Sequence, residues 1–260
     1  MPELPEVEAY RRLAERSVGR VVGRVELPDP WFLKGGLTPA MLGAALTGHR
    51  FAAFRRVGKL LLGDIDGGRR LGLRFGMTGT LVVDGRAALD GLLYAPARHD
   101  PAWERVRIAF VDGGSLVVRD PRRLGGVTLD PDLGRLGPDA AAITGDELAA
   151  ALAGSTAPLK ARLLDQSRVA GVGNLVADEV LWKAGLDPRR PAGSLAPTEV
   201  HLLCGTVHAV IADLVARGGS HRGDLTGERR RDGRCPQDGA PLTRSTVGGR
   251  TTWWCPVHQH

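Results

Sequence analysis

The hydrophobic pattern of this chain changes its period once, near residue 135, and this change limits the folds open to it. Between about residues 20 and 127, apolar and β-branched residues alternate with polar ones, as they do in half-buried strands. Beyond Gly137, apolar residues recur at helical spacing instead. A run of strands followed by a run of helices is typical of an α+β protein with separate domains. The sequence therefore predicts a mostly β first half, a helical second half and a boundary between 135 and 143.

Turn and capping residues refine this division. Strands are predicted within 20–27, 51–65, 71–83 and 106–118, and helices within 3–16, 158–167, 174–184 and 197–217. Thr144 and Glu147 have the spacing of a capping box, which places another helix start there. Cys204 shares one face of the last helix with apolar residues and is predicted to lie in the core. The glycine-rich, basic segment 220–234 is interpreted as a loop.

The charge balance favours a polyanionic partner without requiring one. The 260 residues carry a formal charge of +6, with a pI near 9.8. We find no apolar run that meets the length of a membrane span and no apolar leader after Met1, so the expected setting is the cytoplasm, without membrane association.

Two pairs of potential metal ligands lie near the C-terminus. Each pair is separated by two residues, and the four side chains are Cys235 and Asp238, then Cys255 and His258. Thiolate, carboxylate and imidazole all bind zinc, and four protein ligands predict one structural ion rather than a catalytic one. His260 is a competing ligand, although only His258 repeats the spacing of the first pair. The alternative is a knuckle without metal that folds through Trp253 and Trp254, with Asp238 and His258 exposed.

The N-terminus carries a candidate nucleophile. If Met1 is removed, Pro2 becomes a secondary amine beside Glu3, at the start of a predicted helix. Such an amine can form a charged iminium with a sugar carbon, and a neighbouring carboxylate can move protons. Proline and acidic residues also stabilise the first turn of any helix, and this opening alone favours that simpler explanation.

Motifs in the same order along the whole chain resemble the formamidopyrimidine-DNA glycosylase and endonuclease VIII family. They are MPELPEVE at 1–8, FRRVGKLLL at 54–62, GMTG at 76–79, DPRRLG at 120–125 and LDQSRVAGVGNLVADE at 164–179. The resemblance implies an N-terminal catalytic β-sandwich domain at 1–135, a helix-two-turn-helix domain at 136–228 and a zinc ribbon at 229–260. It also implies a bifunctional DNA glycosylase and abasic-site lyase that acts on damaged double-stranded DNA as a monomer, in a bacterial-type, nucleoid-associated setting.

The resemblance assigns catalytic roles to four residues. Pro2 is similar to the family's Schiff-base nucleophile and Glu3 to its acid. Lys59 matches the hairpin lysine that holds a phosphate beside the lesion, and Arg250 matches the arginine that points toward the lesion phosphates. Without the family, Lys59 is equally well explained as a solvated strand lysine.

Five further residues match the family's DNA contacts. Asn174 follows a Gly171–Gly173 turn whose backbone amides can bind a phosphate, and an ordinary helix N-cap is its alternative. Lys160 matches a lysine used near the lesion, and a helix-surface lysine is its alternative. Met77, Arg122 and Leu124 correspond to the wedge that fills the gap left by an extruded base. For Met77 and Leu124, core packing is the alternative.

Three departures from the family pattern affect the expected activity. The ribbon has Asp238 and His258 where the family usually has cysteines, and Leu124 stands where phenylalanine is frequent. Residues 218–234 form a short link where formamidopyrimidine enzymes carry a longer loop over an oxidised purine. We therefore expect oxidised pyrimidines, opened-ring purines or bulky adducts as lesions rather than 8-oxoguanine, followed by β or β,δ elimination. The alternative is a non-catalytic damaged-DNA-binding protein of the same fold.

Overall fold

The chain forms two compact units of similar size. A computed structural model describes residues 2–89, Leu92 and 100–260. One unit contains Pro2 and Glu6–Leu133, and the other contains Glu3–Pro5 and Gly134–His260. The division at 133/134 lies beside the change of hydrophobic period.

Among its described residues, the first unit contains two antiparallel sheets, the N-terminal helix except for its first two residues, and a second helix. Helix α1 is Leu4–Ala14, shorter than predicted because residues 15–17 form a 3-10 turn, and α2 is Pro39–Leu46, which the sequence analysis did not predict. The strands are β1 Val22–Glu26, β2 Phe51–Val57, β3 Leu60–Ile65, β4 Arg70–Arg74, β5 Thr80–Val83, β6 Arg86–Ala87, β7 Glu104–Phe110, β8 Ser115–Arg119 and β9 Gly126–Leu129. One sheet has the order β1-β7-β8-β5-β6 and the other the order β2-β3-β4-β9.

Both sheets contribute apolar side chains to one core. Phe51, Leu61 and Leu73 come from one sheet, and Ile108 and Leu116 come from the other. All five are at most 1 % exposed. This arrangement confirms the predicted β-sandwich, because each alternating strand places its apolar face against the opposite sheet.

The second unit contains four helices and a hairpin. They are α3 Gly145–Leu152, α4 Leu159–Leu164, α5 Asn174–Ala184, α6 Pro197–Ala216, β10 Thr243–Val247 and β11 Arg250–Trp254. The capping box of Thr144 and Glu147 is present at the start of α3, as predicted. Together with the first unit, these elements confirm the α+β class.

Helix α6 ends one residue before its predicted limit, but it is apolar enough to count as a candidate membrane span, which the sequence analysis did not find. Its 20 residues have the length and composition of a membrane span, with a mean hydropathy of 1.5. Val200, Leu203, Val207 and Leu214 nevertheless pack into the core of the second unit, and Cys204 lies among them as predicted. A core helix of this kind passes the same test as a membrane helix.

Candidate active site

Glu3 is almost completely buried and caps a helix far away in the sequence. Its side chain is 1 % exposed. The two carboxylate oxygens accept hydrogen bonds from the backbone N–H groups of Leu175, at 2.9 Å, and Val176, at 3.0 Å. Both groups belong to the first turn of α5, where unpaired amides and the helix dipole favour an anion. An ionised Glu3 is thus stabilised there, directly after the buried Pro2.

Gly173 leaves the space that the Glu3 side chain occupies. A Cβ at this position would lie only 2.5 Å from the Glu3 Cγ and Oε1 atoms. Gly173 has φ −116° and ψ −169°, a conformation that any residue can adopt. Glycine is therefore required here because it has no Cβ atom, and not because of its conformational freedom.

The start of α5 and the turn before it use their backbone amides differently. The amides of Leu175 and Val176 bind the Glu3 carboxylate. In the 171–173 turn, whose amides were predicted to bind a phosphate, the Gly171 N–H donates to the Gln166 side chain at 3.0 Å. The N-cap residue of the helix is Gly173, and Asn174 is the first helical residue rather than the cap. The predicted phosphate contact of the Asn174 side chain stays a prediction. Its Nδ2 donates to the Thr251 carbonyl at 3.1 Å, and its Oδ1 has no hydrogen-bond partner among the described residues.

Lys160 differs most from its predicted position. Its side chain is fully buried, and its ammonium lies 2.6 Å from the Asp178 carboxylate. Burial lowers the pKa of Lys160, and the charge of Asp178 opposes that shift. Lys160 also donates to the Thr251 carbonyl and the Thr252 hydroxyl, at 3.2 and 2.8 Å. The burial of Lys160 contradicts both the predicted DNA contact and the alternative of a surface lysine. Its ion pair and hydrogen bonds instead attach β11 to helices α4 and α5.

Arg250 stands at the end of a tightly held hairpin. Val247 pairs with Arg250 across Gly248 and Gly249, whose φ angles of 58° and 70° define a two-residue turn. A Cβ on Gly248 would lie 2.8 Å from that of Ala161, so the turn packs directly on α4. The Arg250 side chain is exposed. The second unit therefore brings Glu3, Asn174 and the Arg250 hairpin to the start of α5.

The remaining predicted DNA contacts lie on turns of the first unit. Lys59 occupies the tip of the two-residue turn between β2 and β3 and is half-buried, so it is not an ordinary strand lysine. Met77 is half-buried, Arg122 is exposed and Leu124 is 50 % exposed. Core packing does not explain Leu124, because a core leucine would be hidden from solvent.

The four predicted metal ligands converge in the second unit. Their candidate donor atoms all lie within 4.8 Å of one another. The His258 Nδ1 atom is 3.5 Å from the Cys235 Sγ and 3.0 Å from an Asp238 oxygen, which lies 3.2 Å from the Cys255 Sγ. A tetrahedral zinc ion, with ligands at about 2.0–2.3 Å, would separate its ligand atoms by roughly 3.3–3.8 Å. The set fits such an ion, and both Asp238 and His258 face the cluster.

Trp182 on α5 touches two of these ligands. Its indole N–H donates to the Cys235 sulfur at 3.2 Å, and its carbonyl lies 3.1 Å from the His258 Nε2. A proton on Nε2 leaves Nδ1 as the metal-binding nitrogen, which is the atom directed at the other ligands. The N–H of Ala240 holds the pKa of Asp238 well below its usual range, which favours the ionised ligand.

Comparison with known proteins decides the family. The model of the formamidopyrimidine-DNA glycosylase N-terminal domain matches residues 1–127, and that of the formamidopyrimidine-DNA glycosylase H2TH domain matches residues 135–224. The chain belongs to the formamidopyrimidine-DNA glycosylase family. The resemblance stated from the motifs is thereby confirmed, together with DNA glycosylase and abasic-site lyase as the enzyme class.

Relatives of this family match the chain over its entire length. The formamidopyrimidine-DNA glycosylase of Paracoccus denitrificans is 37 % identical, with all of both chains covered. The Lactococcus lactis enzyme, solved non-covalently bound to DNA containing an AP site, is 30 % identical with a TM-score of 0.84 and full coverage of both chains. The same enzyme in complex with DNA containing Fapy-dG is 28 % identical with a TM-score of 0.84, covering 99 % of this chain and 100 % of the other.

Sequence reasoning missed several residues that shape this glycosylase-family site. Gly173 was noted as part of a turn, whereas its role is to admit Glu3. Asp178 and Trp182, on the buried faces of α5, were not singled out at all. Asp178 offers one weak signal: it and Glu179 are carboxylates in a mostly apolar helix, and a buried charge requires a partner.

Proposed function

We propose that the protein is a bifunctional DNA glycosylase and abasic-site lyase that uses the Pro2 amine as its nucleophile. The placement of Glu3 carries the proposal. A carboxylate buried on a helix N-terminus, one residue after the amine, is suited to accept the proton that the amine must lose. Its two backbone hydrogen bonds favour the ionised form, so proton acceptance suits this geometry better than donation to the sugar oxygen.

The reaction proceeds through an iminium ion. The Pro2 nitrogen lone pair forms a bond to the deoxyribose C1′ as the damaged base leaves with the bonding electrons. The ring C1′–O4′ bond then breaks, the ring oxygen takes a proton from water, and an iminium forms that is charged without an extra proton because the amine is secondary. Loss of a C2′ proton sends electrons toward that cation and expels the 3′ phosphate, which nicks the strand. Water finally releases the protein from the sugar fragment.

Lys59, Asn174 and Arg250 serve this chemistry by holding phosphates. Each sits on a turn or a helix start, where the backbone fixes the direction of the side chain. Donors on such rigid supports, cationic for Lys59 and Arg250 and a neutral amide for Asn174, position the strand without reading its sequence. The partner is double-stranded DNA that contains a damaged base or an abasic site.

We assign the ligand set of Cys235, Asp238, Cys255 and His258 to one structural zinc ion. Four protein ligands leave no open position for water, so the ion supplies folding stability to the ribbon rather than chemistry. Zinc supplies nothing to the reaction beyond a fixed position for the Arg250 hairpin.

Borohydride trapping on abasic DNA tests the proposed mechanism. The wild-type protein is expected to form a covalent adduct, because borohydride reduces the iminium to a stable amine. The double change Pro2→Gly and Glu3→Gln is expected to abolish it. The intact mass must show loss of Met1, since retained Met1 ties the Pro2 nitrogen into a peptide bond. Absence of a wild-type adduct in processed protein would support a non-catalytic damaged-DNA-binding protein instead.

We further propose that 8-oxoguanine is a poor substrate compared with oxidised pyrimidines, opened-ring purines or bulky adducts. The short link after α6 supports this preference because it is tied down. The Glu179 carboxylate accepts the N–H groups of Asp224 and Leu225 at 2.9 and 3.0 Å, and Arg229 pairs with Asp178 at 2.7 Å. Leu225 is fully buried. A segment anchored at three points is ill suited to close over a base. The Lactococcus lactis enzyme was solved in complex with DNA containing Fapy-dG, so an opened-ring purine is the first lesion to test.

A panel of single-lesion duplexes measures this preference. We expect single-turnover excision of thymine glycol or an opened-ring guanine to exceed that of 8-oxoguanine opposite cytosine by about tenfold or more, the scale of a modest pocket effect. Faster excision of 8-oxoguanine than of either comparison lesion would contradict the expectation, without affecting the trapping result.

A further inference from the structure

One buried carboxylate joins the two turns that carry the predicted wedge residues. Asp120 is 0 % exposed. One oxygen accepts the Thr78 hydroxyl at 2.6 Å and the Arg122 N–H at 3.2 Å, and the other accepts the Gly125 N–H at 2.8 Å. The first turn is residues 76–79, in which Thr78 follows Met77. The second turn is residues 120–125, which contains Arg122 and Gly125.

Close backbone contact reinforces this connection. Gly76 has φ +57°, and a Cβ there would lie 2.5 Å from the Leu124 carbonyl carbon, so the backbones of the two turns touch between Gly76 and the Leu124–Gly125 peptide. The buried Tyr10 hydroxyl donates to the Gly79 carbonyl at 3.1 Å, which fixes the other end of the first turn.

The second turn is also held from outside. Arg105 donates to the backbone carbonyl of Asp120 at 2.8 Å. Arg123 adopts φ +57°, an uncommon angle for a residue with a side chain, and pairs with Asp29 through hydrogen bonds of 2.7 and 2.8 Å. Arg122 and Leu124, on either side of Arg123, remain exposed. The anchors bind the turn while leaving the wedge side chains outward.

We propose that Asp120 is a positioning residue that sets Met77, Arg122 and Leu124 in their inserting arrangement before DNA binds. This inference rests on the proposed function, because a wedge matters only if a base is extruded. Extrusion costs a few kcal/mol, and insertion offsets that cost only to the extent that the inserting side chains need no further ordering. Asp120 removes the ordering step, since it holds both turns in one geometry.

The role predicts a specific kinetic pattern. Removing a damaged base requires unstacking it, whereas a preformed abasic site has no base to unstack. Loss of pre-organisation should therefore slow excision much more than strand cleavage at an abasic site. A general loss of folded protein would reduce both rates by the same factor.

Asp120→Asn and Thr78→Val test the inference. Asparagine keeps the shape of Asp120 but replaces one acceptor oxygen with a donor, so at least one of its three hydrogen bonds is lost. Valine keeps the shape of Thr78 and removes only its hydroxyl, which provides a milder variant should Asp120→Asn fail to fold. Asp84→Asn is the matched control. Asp84 also accepts a backbone N–H, that of Ser115 at 3.0 Å, in the same unit, but it contacts neither wedge turn.

Single-turnover rates are measured on a duplex with a lesion that the wild type excises and on the same duplex with a preformed abasic site. With Asp120→Asn we expect excision to fall by about tenfold to 100-fold and abasic cleavage by less than about threefold. Thr78→Val should shift the ratio in the same direction by a smaller factor, and Asp84→Asn should leave it unchanged. 2-Aminopurine beside the lesion should report slower unstacking with Asp120→Asn.

Equal loss of both activities, or no change in their ratio, would overturn the inference while leaving the mechanism intact. Failure of the wild-type protein to form a borohydride adduct would instead overturn the proposed function, and this inference with it. The two failures are distinguishable because trapping is measured on abasic DNA with the wild type alone.

Discussion

A Gly173→Ala variant is expected to cleave abasic DNA at least about 100-fold more slowly than the wild type, the loss that a displacement near 1 Å can cause in an active site. The added methyl group would overlap the Glu3 side chain and push its carboxylate away from the first turn of α5. The Pro2 amine would then lose the neighbouring group that accepts its proton. Single-turnover cleavage and the rate of borohydride trapping measure the effect.

Gly205→Ala is the matched control, because an added Cβ at this position in α6 meets nothing within 4 Å. Alanine is favoured over glycine in a helix by about 0.5–1 kcal/mol, so this variant should be fully active and slightly more stable. Gly173→Ala should also reduce the free energy of unfolding, since each charge-assisted hydrogen bond of Glu3 contributes about 1.5–3 kcal/mol.

A double-mutant cycle isolates the contact itself. In a Glu3→Ala background, Gly173→Ala should cost little further stability, because the overlapping side chain has gone. Additive losses of stability, or wild-type cleavage by Gly173→Ala alone, would show that the glycine serves another purpose.

Removal of the metal is expected to abolish specific binding to abasic DNA and to lower the melting temperature. A two-stranded ribbon is marginally stable by itself, and its apolar support is small, consisting of Trp182, Leu225, Cys235 and Cys255 with partly buried neighbours. Structural zinc supplies on the order of 10 kcal/mol in isolated zinc-finger peptides. Native mass spectrometry should find one zinc ion per chain. Chelation should change the tryptophan fluorescence, because the Trp182 indole donates to a ligand sulfur.

Three variants sharpen the metal experiment. Cys255→Ser should lose the ion, whereas Cys204→Ala should keep it, since Cys204 lies in the helical core. Asp238→Cys should hold zinc more tightly against a chelator, because a thiolate replaces a harder oxygen ligand. A protein that contains no zinc when purified, and binds DNA equally well with chelator present, would contradict the assignment.

The cluster of four candidate metal ligands was predictable because the spacing within each pair is local. Two residues between Cys235 and Asp238, and between Cys255 and His258, already limit how far apart the members of each pair can lie. The sequence does not show which atoms support them, and Trp182 lies more than 50 residues from Cys235. The predicted wedge residues follow the same rule: the motifs predict this role for Arg122 and Leu124, but only the structure shows Asp120 joining their turn to Thr78.

The amino-acid sequence by itself determined the switch from strands to helices near residue 135, the capping box that starts α3, the ligand pairs and the family. Those features depend on periodicity and spacing along the chain, which local stereochemistry translates directly into structure. Only the tertiary structure decided that Lys160 is buried against Asp178 and that Glu3 caps the start of α5. Glu3 and Leu175 are 172 positions apart. Whether a charge faces solvent, DNA or a buried partner depends on which distant elements pack around it, and no local pattern encodes that.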